Sequence, residues 1–119
     1  MTIEFAYSSL KNTIVNITNH NFWNLNGEGT GTVYGHLLKI NADKMNFINS
    51  NFIPAHIAAV VDTLFDFTGL HTIDERINGQ HEQLIKGAGY DHTYVVKSAN
   101  SGAPVLAALA IGDKTGIGM

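Results

Sequence analysis

The sequence predicts an all-β fold, an antiparallel β-sandwich or barrel. Short apolar or β-branched runs recur along the 119 residues, and polar turns rich in Gly, Asn and Asp separate them. No run shows about ten residues of helical period, which parallel βαβ units require. With 45% hydrophobic and 14% charged residues and no shift in composition along the chain, residues 1–119 are expected to form a single domain.

Two strands are predicted near the N-terminus. In residues 3–7 the side chains of Ile3, Phe5 and Tyr7 alternate with more polar neighbours. Residues 13–18 form a β-branched run typical of a half-buried strand, and the small polar residues between the two runs suit a hairpin connection. The segment 24–31, NLNGEGTG, is rich in residues that accept positive φ and should form an exposed loop.

The rest of the chain also indicates mainly strands. Four further runs are predicted as strands: residues 33–40, 45–48, 94–96 and 105–111. Residues 52–54 should be extended, because Pro54 biases the residue before it out of the α region. Residues 57–67 fit a helical stripe or a buried strand, of which we favour the strand. Residues 72–86 predict a short irregular or helical excursion. Residues 112–119 are typical of a turn entering another strand, which would leave an open sheet edge.

Composition and charge argue against several classes of function. With 7 Lys+Arg against 10 Asp+Glu and a net charge of -3, the chain offers no basic surface for a nucleic acid. No apolar stretch approaches the roughly 20 residues of a membrane helix. The N-terminal residues show no secretory leader, so we expect a cytoplasmic location. The chain has no Cys, and its 6 His have neither HExxH nor His-x-His spacing, so no metal site is predicted.

One segment concentrates residues that could bind a ligand. His20 and Asn21 precede the aromatic pair Phe22 and Trp23, and further amides flank them. Aromatic faces stack on the C–H surfaces of sugars, while amides and imidazole bond hydroxyls, so this cluster favours a neutral carbohydrate over an anion. The structural alternative is that the aromatic residues belong to the core and that His20 ends a strand.

A second concentration lies in residues 87–92, GAGYDH. Glycines permit close approach of the backbone, and Asp91 beside a Tyr and a His could bond the hydroxyls of a ligand. The alternative is an ordinary turn in which Asp91 accepts hydrogen bonds from local N–H groups.

Taken together, five motifs resemble those of the galactose mutarotase (aldose 1-epimerase) family. The stretch 15–25, VNITNHNFWNL, is similar to the family pattern N-[LI]-T-N-H-x-Y-F-N-L. Residues 35–42 are similar to its H-x-L-x-[IL]-x-A strand, 52–54 to L-I-P-T-G, 61–67 to V-x-x-T-P-F-D-F, and 89–92 to G-Y-D-H. The five motifs occur in the family order. The sequence departs at Phe22, where the family has Tyr, and at Leu64, where it has Pro.

The resemblance implies a large antiparallel β-sandwich that interconverts the α and β anomers of galactose, glucose or a similar aldohexose without a cofactor or metal. His20 matches the general acid that protonates the ring oxygen, and Asn21, Phe22 and Asp91 match substrate-binding positions. Imidazole suits an acid because it titrates near pH 6.5, close to neutrality.

The family's general base, a glutamate near the C-terminus, has no counterpart in this chain. Glu75 and Glu82 both precede the G-Y-D-H motif. The resemblance therefore implies a partial mutarotase domain that is weakly active or inactive alone. A non-catalytic carbohydrate-binding module is an alternative from another class, and a structural β domain completed by a partner is a third. Open sheet edges would also permit self-association.

Overall fold

The computed structural model describes residues 2–98 and 103–119. Within these ranges it contains five short strands and two short helices. The strands are β1 (Leu37–Ile40), β2 (Lys44–Ile48), β3 (Pro54–Ala59), β4 (His71–Thr72) and β5 (Ala108–Ile111). The helices are α1 (Asp74–Ile77) and α2 (Glu82–Gly87). Neither helix of the described ranges has the length and apolar character needed to cross a bilayer.

The strands form two antiparallel sheets. In the three-stranded sheet β1 lies between β4 and β5, so that Leu37 is opposite Thr72 on one side and Ile111 on the other. In the two-stranded sheet β2 pairs with β3, beginning with Lys44 opposite Ala59. Mostly strands, antiparallel pairing and few helical residues confirm the all-β antiparallel class.

The core lies where β2, the turn after β3 and helix α2 meet. Met45, Val60, Phe65 and Leu84 form its buried cluster. Partly buried rings and aliphatic side chains pack against this cluster: Phe47, Leu64, Tyr90 and Tyr94. The core therefore connects the G-Y-D-H turn to the two-stranded sheet.

The two strands predicted near the N-terminus are wrong. Residues 2–23 contain no strand, and every side chain in this segment is exposed. A strand exists only when its backbone groups bond to a neighbouring strand, and neither described sheet pairs with these residues. The alternation of Ile3, Phe5 and Tyr7 favours a strand, but no described strand pairs with these residues.

Two further predictions need correction. The strand proposed for residues 57–67 ends at Ala59 and gives way to tight turns, in which Thr63 N donates to Val60 O and Asp66 N to Thr63 O. Residues 52–54 are not extended throughout, because Phe52 has a φ of 61° and β3 begins only at Pro54.

The remaining expectations agree with the structure in varying extent. β1 and β5 lie within predicted strands, and β2 begins one residue before the predicted run 45–48. The excursion in residues 72–86 contains α1 and most of α2. The strand predicted for residues 94–96 is wrong: Tyr94 forms an isolated bridge with Met45, and Val95 N donates to Lys44 O. The C-terminal segment folds back as expected, since Gly118 bridges Ile111 and Ala110 exchanges two backbone hydrogen bonds with Met119.

Candidate functional site

The segment that ends at Trp23 carries three of the four predicted site residues. His20, Asn21 and Phe22 are all exposed, and Phe22 exposes 88% of its surface. The ring centroids of His20 and Phe22 lie 5.0 Å apart, with the planes tilted by 39°. The alternative in which Phe22 and Trp23 are core residues is therefore wrong for this structure. The imidazole is accessible to a ligand that stacks on Phe22.

An open cavity of about 430 Å³ adjoins this segment. Its wall comes from two stretches of chain: Phe22, Trp23 and Asn24 on one side, and Gly31, Thr32, Val33 and Tyr34 on the other. Three aromatic rings on its rim provide faces for the C–H surface of a sugar. The volume lies within the range of small-molecule sites, so the cavity can accept a ligand of monosaccharide size.

Asn24 holds the neighbouring loop closed. Its Nδ2 donates to Gly31 O at 3.1 Å and to Thr30 Oγ1 at 3.3 Å, while its Oδ1 accepts from Asn26 N at 3.1 Å. The glycines of loop 24–31 adopt positive φ, as the sequence predicts. The start of the segment departs from the expected exposed loop: Asn26 is buried, and Asn24 and Leu25 are half-buried.

A buried histidine that sequence analysis did not single out fixes the backbone just after this segment. His36 is only 3% exposed. Its Nε2 accepts a hydrogen bond from Leu25 N at 3.0 Å, and its Nδ1 lies 3.2 Å from Oδ1 of Asp113. The second contact is an ion-pair distance outside hydrogen-bond geometry. Because Nε2 accepts, the neutral ring carries its proton on Nδ1, the nitrogen that faces the carboxylate.

Asp113 and Asn26 complete what we call the His36 clasp, made of His36, Leu25, Asn26 and Asp113. Asn26 Nδ2 donates to Asp113 Oδ1 at 2.9 Å, and Lys114 N donates to Asn26 Oδ1 at 3.1 Å. The hydrogen bond from Asn26 is the main cause that holds the pKa of Asp113 below its ordinary value. The clasp thus ties the loop beside the cavity to the turn after β5.

The fourth predicted residue, Asp91, lies in the turn that follows α2. Ala88 adopts the left-handed conformation with a φ of 51° and Gly89 has a φ of 128°, which ends the helix. Asp91 is exposed, and within the described ranges its carboxylate forms no hydrogen bond or ion pair. The alternative in which Asp91 accepts local N–H bonds is therefore not observed, and its oxygens are available to a ligand.

Two tyrosines near Asp91 serve the fold. Tyr90 Oη donates to Leu64 O at 2.9 Å, and Tyr94 Oη donates to Phe65 O at 2.8 Å. Burial raises the pKa of both phenols, so each stays protonated and keeps its bond at neutral pH. Tyr90 therefore anchors the G-Y-D-H turn to the turn that contains Leu64. The pattern of residue types did not reveal this role.

The structure brings His20 and Phe22 into contact, and no direct contact joins them to Asp91. Within residues 2–98 no hydrogen bond, ion pair or ring contact links Asp91 to His20, Asn21 or Phe22. Any ligand that meets both parts of the predicted site would have to bridge them.

The two glutamates that precede the G-Y-D-H motif take part in local ion pairs. Glu75 Oε2 lies 3.0 Å from His71 Nδ1, and Glu82 pairs with Lys86 one helical turn away. Among the described residues no group of three or more His, Asp or Glu side chains could hold a metal ion.

Comparisons with known proteins place this geometry in context. The family model described as aldose 1-epimerase matches residues 1–119. The chain is 35% identical over 113 residues to an aldose 1-epimerase of Haemophilus influenzae, covering 93% of this chain and 33% of that protein. It is 30% identical over 100 residues to a galactose mutarotase of Bos taurus, covering 83% of this chain and 28% of that protein.

A solved structure agrees with the sequence relatives. The crystal structure of galactose 1-epimerase from Lactobacillus acidophilus matches with a TM-score of 0.57 and 26% identity, covering 66% of this chain and 22% of that chain. The chain thus spans about a third or less of the length of the proteins it matches.

Proposed function

The chain belongs to the aldose 1-epimerase family, and on that premise we propose that it carries the acid half of a mutarotase site for galactose, glucose or a similar aldohexose. The observation that carries this proposal is the cavity of about 430 Å³ beside the accessible pair His20 and Phe22. In this proposal, residues 1–119 form part of one β-sandwich domain of the mutarotase type. The proposed location of the protein is the cytoplasm.

His20 is the general acid in this proposal. It donates a proton to the ring oxygen as the C1–O5 bond breaks, the C1–C2 bond rotates in the open-chain aldehyde, and the proton returns to His20 on closure. An imidazole can do this near neutrality because it titrates in that range. Its exposure and its contact with Phe22 support the role, since the ring can meet a sugar that stacks there.

Asn21, Phe22 and Asp91 bind the sugar in this proposal. Phe22 supplies an aromatic face, the Asn21 amide bonds a hydroxyl, and the Asp91 carboxylate accepts hydrogen bonds from hydroxyls. The Asp91 carboxylate interacts electrostatically with His92 but accepts no hydrogen bond within the described ranges, so its oxygens are available to the hydroxyls of a ligand, which supports the assignment.

The chain alone is expected to turn over sugar near the background rate. Ring opening also needs a base to remove the proton of the anomeric hydroxyl, and each acid or base group contributes about 10²–10⁴-fold. Neither Glu75 nor Glu82 is a candidate, since both are engaged in local ion pairs. Polarimetry of fresh α-galactose checks this: we expect a rate within a few-fold of buffer, and a fast rate abolished by His20→Ala would contradict it.

The alternative is a non-catalytic carbohydrate-binding module. The ion pairs of Glu75 and Glu82 favour this alternative, because they leave the sugar-binding residues without a base to act together with His20. Added formate discriminates the two functions by supplying an external base. A partial enzyme should show a formate-dependent rate that falls in His20→Ala but not in the control His56→Ala, whose exposed imidazole lies on β3. A binding module should show the same rate in all three proteins.

Self-association is part of the proposal. The chain would associate through open sheet edges: among the described strands β3 pairs only with β2, and an edge strand with unpaired backbone groups can pair with a second chain. Sedimentation velocity across a concentration series checks this, with a concentration-dependent increase in mass expected and a constant monomer mass contradicting it.

A further inference from the structure

The side chain of Gln83 joins α2 to β2 through two buried hydrogen bonds. Gln83 is only 4% exposed. Its Oε1 accepts from Ile48 N at 2.8 Å, and its Nε2 donates to Ile48 O at 3.0 Å. An amide paired on both sides with one backbone residue is held in a single orientation. The position of Oε1 is therefore set by the sheet.

The same oxygen faces the histidine that follows Asp91. His92 Nε2 lies 3.2 Å from Gln83 Oε1. A carbonyl oxygen can only accept, so Nε2 of His92 carries the proton and the neutral ring leaves Nδ1 bare. Nδ1 is buried and has no hydrogen-bond partner among the described residues. Burial also lowers the pKa of His92, which agrees with a neutral ring held in this tautomer.

Two apolar contacts complete the hold on this turn. The His92 ring packs edge-on against Phe65, with centroids 4.9 Å apart. The absence of a side chain at Gly87 permits close packing on the other side, since a Cβ there would lie 3.0 Å from His92 Cε1 and 3.5 Å from Asp91 Cβ. The backbone that presents Asp91 is thus fixed from β2, from the core and from α2.

We propose that Gln83 is a positioning residue for Asp91: by bonding both β2 and His92, it sets the place from which the Asp91 carboxylate meets a sugar. This rests on the proposed function, in which Asp91 binds substrate hydroxyls. Gln83 itself does not touch the sugar. Its loss should weaken sugar binding only through Asp91.

A double-mutant cycle tests this coupling. Galactose affinity is measured by the fluorescence of Trp23, the one Trp of the chain, in the unaltered chain, Gln83→Leu, Asp91→Asn and the double variant. We expect Gln83→Leu to weaken binding by about 3- to 30-fold in the unaltered background and by less than about 1.5-fold in the Asp91→Asn background. Equal weakening in both backgrounds overturns the proposal. The control is Lys86→Gln on the same helix, which should leave affinity unchanged.

Amide hydrogen exchange tests the same claim without sugar. Asp91 N donates to Gly89 O, and Gln83→Leu should speed exchange of this amide by about 10-fold or more, while exchange on β1 and β5 stays unchanged. If Gln83→Leu does not fold, Gln83→Met provides the milder change: its side chain has a similar length but cannot make the bonds to Ile48 and His92, and it should shift the Asp91 and His92 resonances. Unchanged signals at Asp91 in the folded variant overturn the proposal. If Asp91→Asn binds galactose as well as the unaltered chain, the proposed function fails, whereas the exchange result still decides the role of Gln83.

Discussion

Removal of the His36 ring provides the sharpest test of how the structure supports its cavity. His36→Ala takes away the acceptor of Leu25 N–H, which lies two residues beyond Trp23. A buried donor left without a partner costs about 1–3 kcal/mol. The lost packing of a ring that is 3% exposed adds about 1 kcal/mol. We therefore expect His36→Ala to lower the free energy of unfolding by about 2–4 kcal/mol.

Urea unfolding followed by circular dichroism measures this loss. With an m-value of about 2 kcal/mol/M, the midpoint should fall by about 1–2 M. Because the clasp holds the backbone beside Trp23, the fluorescence emission of the folded variant should also shift. His71→Ala is the matched control, since His71 likewise lies 3.0 Å from a carboxylate, on Glu75, but at the surface. Surface pairs contribute about 0–1 kcal/mol. Equal midpoints for the two variants would refute the reasoning.

Three further changes have defined outcomes. Burial raises the pKa of Asp66, but hydrogen bonds from neighbouring backbone and hydroxyl groups outweigh it and hold the pKa below 3.8. The ionised Asp66 carboxylate therefore stabilises the folded state above about pH 4, and this stabilisation is lost as the pH falls through the pKa of Asp66 in the folded state. In a plot of unfolding midpoint against pH, Asp66→Asn should reduce the slope on the acid side. Burial lowers the pKa of His92 below 6.5. The neutral His92 ring therefore fits the folded state fully above about pH 6.5, and the free energy of unfolding should fall on acidification below that pH. His92→Gln should remove this contribution to the pH dependence. At Gly35 a Cβ would lie 2.7 Å from Asp113 Oδ2, whereas at Gly118 its neighbours are 3.7 Å away or more; calorimetry should show Gly35→Ala destabilised by about 1–3 kcal/mol and Gly118→Ala much less.

Local patterns in the sequence predict part of this fold well. The apolar residues in 37–40 and 45–48 indicate strands, and these residues lie in β1 and β2. The irregular pattern of residues 72–86 indicates an interruption of the sheet, and this region contains α1 and most of α2. Residues 3–7 and 13–18 show equally strong strand patterns but pair with neither described sheet. A strand depends on a partner as well as on its own residues, and a local pattern contains no information about that partner.

The candidate site divides in the same way. His20 and Phe22 are two residues apart, so their ring contact follows from local geometry and could be predicted. The bonds from His36 to Leu25 and from Gln83 to Ile48 join segments that are distant in sequence. The local sequence does not mark either residue: His36 follows Gly35 and Gln83 follows Glu82, as many surface residues do. These supports become visible only once the fold brings the segments together.

Sugar binding by the folded chain tests the central claim most directly. The measurement is the urea midpoint, followed by Trp23 fluorescence, with galactose and with sorbitol at the same concentration, because any polyol stabilises proteins weakly by exclusion from their surface. We expect galactose to raise the midpoint beyond sorbitol, as a ligand of the native state must, and Asp91→Asn to remove the difference. Equal urea midpoints with galactose and with sorbitol would contradict the assignment of this site. A galactose effect that persists in Asp91→Asn would contradict it as well.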